Sequence, residues 1–240
     1  MKIDNCITNQ DITKKHFLTF NPISHKYWLN ESPVTGVTTI NKQGYPKSER
    51  LIKWQISKGI EEYETKKIAN TAANIGTLVH DYAFFTECGR NEDAMQILQK
   101  AKKDANSNKI LNAINNFTQW KNNNEDTLVN SEKIIASVKY HYAGTYDRLA
   151  IRNNALILSD FKTSSGIYID QLLQLAGYAI AIEEWEGKKI DCLEILRFGK
   201  EDGNFETKLV NEKKVIKDLK KQFIRNVLTA KFRKKYDNGN

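Results

Sequence analysis

The chain has 240 residues, within the range of one large domain; 40% hydrophobic residues suffice for a core, and a mean hydropathy of −0.59 reads as soluble. No run approaches the roughly 18 apolar residues of a membrane helix, Met1-Lys2-Ile3-Asp4-Asn5 opens no apolar secretory segment, and the isolated Cys6, Cys88 and Cys192 suit a reducing cytoplasm while excluding a four-cysteine zinc or iron–sulfur site. Net charge is +8, and the 28 residues from Lys213 to Asn240 hold 10 Lys/Arg against 2 Asp/Glu, so the whole basic excess lies there; a polyanionic partner fits that distribution, and so does a merely solvated helix with a ragged tail.

In chain order, residues 1–15 read as a loose polar arm. His16 to Ile40 reads as β structure: Phe17-Leu18-Thr19-Phe20, His25-Lys26-Tyr27-Trp28-Leu29, a turn at Asn30-Glu31, then Gly36-Val37-Thr38-Thr39-Ile40. Gln43-Gly44-Tyr45-Pro46 breaks the pattern, and Glu49 to Ile68 reads as a helix with Trp54 toward the core. A second helix follows, with Ile75, Leu78, Val79 and Tyr82 at helical spacing. His80 shares a face with Gly76, whose missing side chain would admit a close neighbour; from this stretch alone packing explains the histidine better than ligation. Residues 86–130 are polar and mostly helical, with breaks at Gly89-Arg90-Asn91 and Asn106-Ser107-Asn108, and the part over 86–127 is a candidate cover or arch over a single strand by position alone.

Alternation begins at Leu128 and continues into two apolar-rich runs that flank Asn153-Asn154, a pair that tolerates positive φ. A two-residue hairpin there pairs Arg152 with Ala155 and places Leu149 opposite Leu158. Counting on, Asp147 falls opposite Asp160 and Lys162 opposite Thr145, all on one face. Two carboxylates so placed repel and need a cation. A divalent metal with oxygen ligands would supply it, with Lys162 beside the pair; a half-buried ion triad without chemistry is the alternative. Asp170 to Ile180 reads as a helix that packs Leu172, Leu175, Ala176 and Ala179 on the sheet and lines up Gln171, Gln174 and Tyr178 on another stripe. Strands over Lys189–Phe198 and Phe205–Val210 and an amphipathic helix over Glu212–Lys235 complete an α/β sandwich around a mixed sheet.

Gly76-Thr77-Leu78-Val79-His80, Gly144-Thr145-Tyr146-Asp147, Asp160-Phe161-Lys162 and Gln174-Leu175-Ala176-Gly177-Tyr178 occur in the order of a known motif set: helical GxxxH, strand GxxD, strand D/E-x-K and helical QxxxY. The chain thereby resembles the PD-(D/E)XK nuclease superfamily, in its RecB-like branch, over roughly residues 17–210. Its leading strands also resemble those of phage-type and mitochondrial genome-maintenance exonucleases. The resemblance implies a restriction-endonuclease-like α/β core, a mixed central sheet flanked by helices, with an N-terminal β-rich and helical extension and a helical insertion. It implies one nuclease domain over 1–240, divided as 1–70, 71–127 with the histidine motif, a catalytic core at 128–210, and a basic helix at 211–240.

By the same resemblance, Asp147, Asp160, His80 and the Phe161 carbonyl would hold Mg²⁺ or Mn²⁺. Lys162 would orient or activate the attacking water, and Gln174 and Tyr178 would hold the scissile phosphate or the DNA backbone. Glu132 matches a frequent acidic position on the preceding strand. Gln171, by helix geometry, and the exposed Lys231, Arg233, Lys234 and Lys235 would add nucleic-acid contacts. The expected activity is metal-dependent hydrolysis of DNA, by an exonuclease acting on single strands or duplex ends in replication, recombination or repair. The expected setting is a bacterial or phage-infected cytoplasm, without iron–sulfur cluster, nucleotide cofactor or membrane. No P-loop is present, so a helicase or recombinase partner would be a separate chain. An endonuclease of the same superfamily, or an inactive nucleic-acid-binding relative, is the competing reading.

Overall fold

The computed structural model describes residues 7–10, 16–46, 62–201 and 203–237. Four short strands come first: β1 (Ile7–Gln10), β2 (Phe17–Asn21), β3 (Lys26–Leu29) and β4 (Ser32–Gly36), each antiparallel to the one before. β1 lies inside the stretch read as a loose arm, which is therefore partly strand. Asn30 (φ 48°) and Glu31 (φ 66°) form the two-residue β3–β4 loop, with the left-handed backbone that suits strand twist.

A second departure follows at once. Strand structure ends at Gly36, and Val37–Gly44 is a helix, α1. The β-branched run Val37-Thr38-Thr39-Ile40 favours a strand locally. Packing decides otherwise, because Val37, Ile40 and Asn41, at helical spacing, are buried together. The amide of Asn41 donates to the Asp170 carbonyl at 3.0 Å and accepts from Asn226 at 3.3 Å.

The helix expected over Glu49–Ile68, with Trp54, lies outside the described residues as far as residue 61. From Glu62 one helix, α2 (Glu62–Glu87), runs unbroken through the histidine motif. Next come α3 (Asn91–Lys102) and α4 (Ser107–Asn122). Ile110, Ala113, Ile114 and Phe117 of α4 bury themselves with Phe161, Leu196 and Phe198, so this region is a packed layer of the fold.

The remaining elements are β5 (Thr127–Ser137), β6 (Tyr142–Arg152), β7 (Ala155–Lys162), α5 (Ile169–Glu186), β8 (Cys192–Phe198), β9 (Phe205–Val210) and α6 (Lys213–Tyr236). β5, β6 and β7 form the expected antiparallel meander, hinged on Asn153 (φ 50°) and Asn154 (φ 61°). α5 carries the chain across to β8, which runs parallel to β7, and β9 pairs antiparallel at the edge. β4 joins the first residues of β6 in parallel, Thr35 to Tyr142 and Gly36 to Ala143. The sheet is mixed, with helices on both faces. α1, α5 and α6 cover one face through Leu149, Leu158, Leu175, Ile195 and Phe223; α2 and α4 cover the other. A Cβ at Gly177 would lie 2.5 Å from the Phe223 ring, so the absence of a side chain lets α5 approach α6.

Candidate metal centre

Hairpin pairing follows the expected register from Arg152–Ala155 through Leu149–Leu158 to Arg148–Ser159, and there the ladder stops. Asp147 and Asp160 are next in line, but they do not share a face as strict alternation requires. Gly144 points at Tyr178 of α5, and Leu149 packs into the same helical layer. An even and an odd position cannot both do so unless the alternation slips between them. It slips at Asp147 and Arg148, which both turn toward α2: Asp147 reaches His80 at 3.6 Å, and Arg148 reaches Glu87 at 2.9 Å. Glu132, opposite on β5 between the Ser131–Arg148 and Lys133–Tyr146 pairs, has φ 48°, so both strands distort together.

The distortion opens a gap between β6 and β7 into which donors enter from both layers. Asp147 Oδ2 fills part of it by accepting the Phe161 N–H at 2.7 Å. His80 Nε2 lies 3.0 Å from the Phe161 carbonyl oxygen, and its Nδ1 lies 3.6 Å from Asp147 Oδ2 and 3.9 Å from Glu132 Oε1. One donor atom each from His80, Glu132 and Asp147 falls within 4.8 Å of the others, a candidate metal-binding cluster. Asp160 reaches in from the α5 side. It is fully buried and ion-paired with Lys162 through Oδ2, while its Oδ1 has no hydrogen-bond partner.

Electrostatics mark these groups as under-compensated. Burial drives the Asp160 carboxyl up to about 6, Lys162 pulling it down and Asp147 pushing it up. Asp147 is raised by burial and by repulsion from Glu132, against the pull of His80. Burial opposes the His80 imidazolium, but Asp147 and Glu132 outweigh it and lift its pKa to about 9. Lys162 follows the same logic: burial disfavours its charge, Asp160 and Asp147 more than restore it, and its pKa is raised.

On the α5 side, Gln174 Nε2 donates to Tyr178 Oη at 2.8 Å. Burial and the nearby Asp160 charge push that phenol well above its ordinary value. Gly144 earns its place here, since a Cβ would sit 2.6 Å from the Tyr178 ring and 3.1 Å from Val37. Gly76 does not: a Cβ there meets only Thr163 Oγ1 at 3.6 Å, an ordinary contact, so no close approach depends on it. Gln171 is buried; it accepts from the Tyr168 N–H at 3.1 Å and donates to Ser164 Oγ at 3.0 Å, which binds it to the β7–α5 loop. Lys231, Arg233, Lys234 and Lys235 are exposed on the last turns of α6, where Arg233 caps the Gln43 carbonyl at 2.6 Å.

The structure brings forward two residues that sequence reasoning passed over. Tyr27 Oη and Thr145 Oγ1 are 3.0 Å apart, and the Tyr27 phenol is raised by burial and by Glu132, opposed by the Thr145 hydrogen bond. Thr145 sits within the GxxD stretch, the one sequence signal that pointed near it.

No family model matches the chain, and no curated protein matches it. Among solved structures, it is similar to an exonuclease candidate from Eubacterium rectale, with a TM-score of 0.43, 11% identity and 68% of each chain covered. It is also similar to SSO0001, with a TM-score of 0.30, 17% identity, and 66% of this chain and 80% of that one covered. Function therefore has to be argued from the chemistry of the site.

Proposed function

We propose that the chain is a metal-dependent nuclease of the PD-(D/E)XK type that hydrolyses DNA phosphodiesters, acting as an exonuclease on single strands or duplex ends. One observation carries the reading: buried carboxylates converge on the β6–β7 gap with fewer partners than they need, and Lys162 stands beside them. Asp160 Oδ1 is an orphaned acceptor in a place where native proteins rarely leave one. The donor set, three carboxylates, one imidazole and the Phe161 carbonyl, is one a hard divalent cation accepts; the imidazole makes Mn²⁺ as suitable as Mg²⁺. His80 Nε2 and the Phe161 carbonyl oxygen already lie side by side at a hydrogen-bond distance of 3.0 Å, so both would be within reach of one ion. His80, Asp147, Asp160 and the Phe161 carbonyl would hold the ion, with Glu132 joining them.

When bound, such an ion polarises the phosphate and lowers the pKa of water. The chain's own groups do the rest. Lys162, kept charged by Asp160 and Asp147, is a fixed donor that aligns the attacking water and offsets charge on phosphate. Tyr178 Oη accepts from Gln174, which leaves its own proton free to be donated to a phosphate oxygen. Asp147, held by the Phe161 N–H, keeps its orientation without help from the substrate.

The test is cleavage of end-labelled single- and double-stranded DNA with Mg²⁺, Mn²⁺ or EDTA, comparing the unsubstituted chain with Lys162→Ala and Asp160→Ala. Metal-dependent degradation, reduced roughly a thousandfold or more in both variants, is expected, with circular single strands resistant. Binding without turnover under either metal would overturn the enzyme reading and leave a nucleic-acid-binding protein.

A further inference from the structure

α6 carries an apolar stripe on the side away from the protein. Ile216, Phe223, Val227 and Ala230 face the core, whereas Leu228, Phe232 and Tyr236, four residues apart, are 60%, 62% and 58% exposed. A single exposed apolar side chain is ordinary. Three in one row, on the most basic element of the chain, are not explained by solvation or by helix formation.

The surroundings narrow what can cover them. The Phe232 and Tyr236 rings lie 4.7 Å apart, and the Lys235 ammonium stands 5.0 Å from the Tyr236 ring. Arg225, Lys231 and Lys235 border the row, and the chain's net excess of positive charge lies in this helix and its tail. A second copy of the helix would bring like charges together. A polyanion that also offers flat apolar faces matches both features, and single-stranded nucleic acid has that chemistry: phosphates for the cations, bases for the rings. A duplex hides its base faces and would meet only the cations.

Position agrees. Lys231 and Lys234 line a shallow hollow with Thr35 and His141. Thr35 pairs with Tyr142 at the start of β6, and Asp147 lies five residues further along that strand, about 17 Å at a strand's rise. We propose that Leu228, Phe232 and Tyr236, bordered by Arg225, Lys231 and Lys235, form a base-stacking strip that receives single-stranded DNA. The strip rests on the nuclease reading for its purpose, but it is tested by binding alone.

The experiment measures binding of fluorescent oligothymidylate and of a short duplex to the full chain in EDTA, across a salt series. Phe232→Ala with Tyr236→Ala should weaken single-strand binding roughly tenfold or more, with the salt slope and duplex binding unchanged. Lys231→Gln with Lys235→Gln should instead flatten the single-strand salt slope by about 1.4. All four side chains are exposed, so an unchanged melting temperature verifies the fold. Unaltered oligothymidylate affinity in the aromatic variant overturns the strip, as does absence of binding by the unsubstituted chain. So does an effect of that variant confined to anionic vesicles or to self-association. Single-strand binding that the aromatic variant loses, in a chain that never cleaves, would sink the nuclease reading and keep the strip. Cleavage with unchanged binding in the variant would do the reverse.

Discussion

The two ends of the β6–β7 hairpin bury acidic groups in opposite ways. Toward the Asn153-Asn154 turn, Asp126 is met by Arg148 at 2.9 Å and by Arg152 at 2.6 and 2.8 Å; Arg152 also binds Glu194, which accepts from Ser159 at 2.9 Å. Burial alone would raise the Asp126 carboxyl, but the two guanidiniums outweigh it and hold it low. At the other end Asp160 has one lysine, an orphaned oxygen and a carboxyl raised to about 6. Both regions are charged and buried, and counting charges does not separate them. The partners of the carboxylates do: Asp126 and Glu194 each take guanidinium hydrogen bonds, although Arg148 Nη2 has no partner of its own, whereas Asp160 Oδ1 is left without a donor.

The largest effect is expected where guanidinium and carboxylates are paired. Arg148→Met removes a fully buried guanidinium from Glu87 and Asp126 and should cost about 3–5 kcal/mol, read as a drop in the urea midpoint. A loss below about 1 kcal/mol would erase the contrast between the two ends. Asp160→Asn should act in the opposite sense. A carboxyl whose folded pKa lies above its unfolded value is penalised when ionised, a penalty absent below the unfolded value and complete above about 6. In metal-free protein the substitution should therefore add about 1–3 kcal/mol at pH 8 and nothing near pH 4. Destabilisation at pH 8 would mean that Asp160 is structurally satisfied after all.

A further effect concerns protons. His80 holds its proton up to about 9 in the metal-free site, and an imidazole must lose it to ligate. Mn²⁺ affinity should rise about tenfold per pH unit between 6.5 and 9, with nearly one proton released per ion at pH 7 by calorimetry in buffers of different ionisation enthalpy. A flat profile would remove His80 from the ligand set.

The sequence made the hairpin legible because its information is local: Asn153-Asn154 fixes the turn, and alternation fixes the pairing through Arg148 and Ser159. It could not show the slip at Asp147, which depends on Glu87, 61 residues from Arg148, and on a left-handed Glu132. Alternation alone puts the two aspartates on one face and gives no sign that Glu132 takes a left-handed backbone beside His80. α1 failed for the same reason, since the strand preference of Val37-Thr38-Thr39-Ile40 yields to contacts with Asn226 at the far end of the chain. Gly144 was found by motif, but its reason, room for Tyr178, exists only once α5 has docked.

The separation of the donors along the chain sets the order in which the site can come into being. His80 and the Phe161 carbonyl that meets it are 81 residues apart, so at a ribosomal pace of about 5–20 residues per second roughly 4–16 s separate their synthesis. Within that interval α2 is finished first, and the strands that carry Glu132, Asp147 and Phe161 to its imidazole follow only from residue 127 onward. About two-thirds of the chain must emerge before β7 is complete. A nascent chain short of that point can carry every helix of one layer and still have no place to hold an ion.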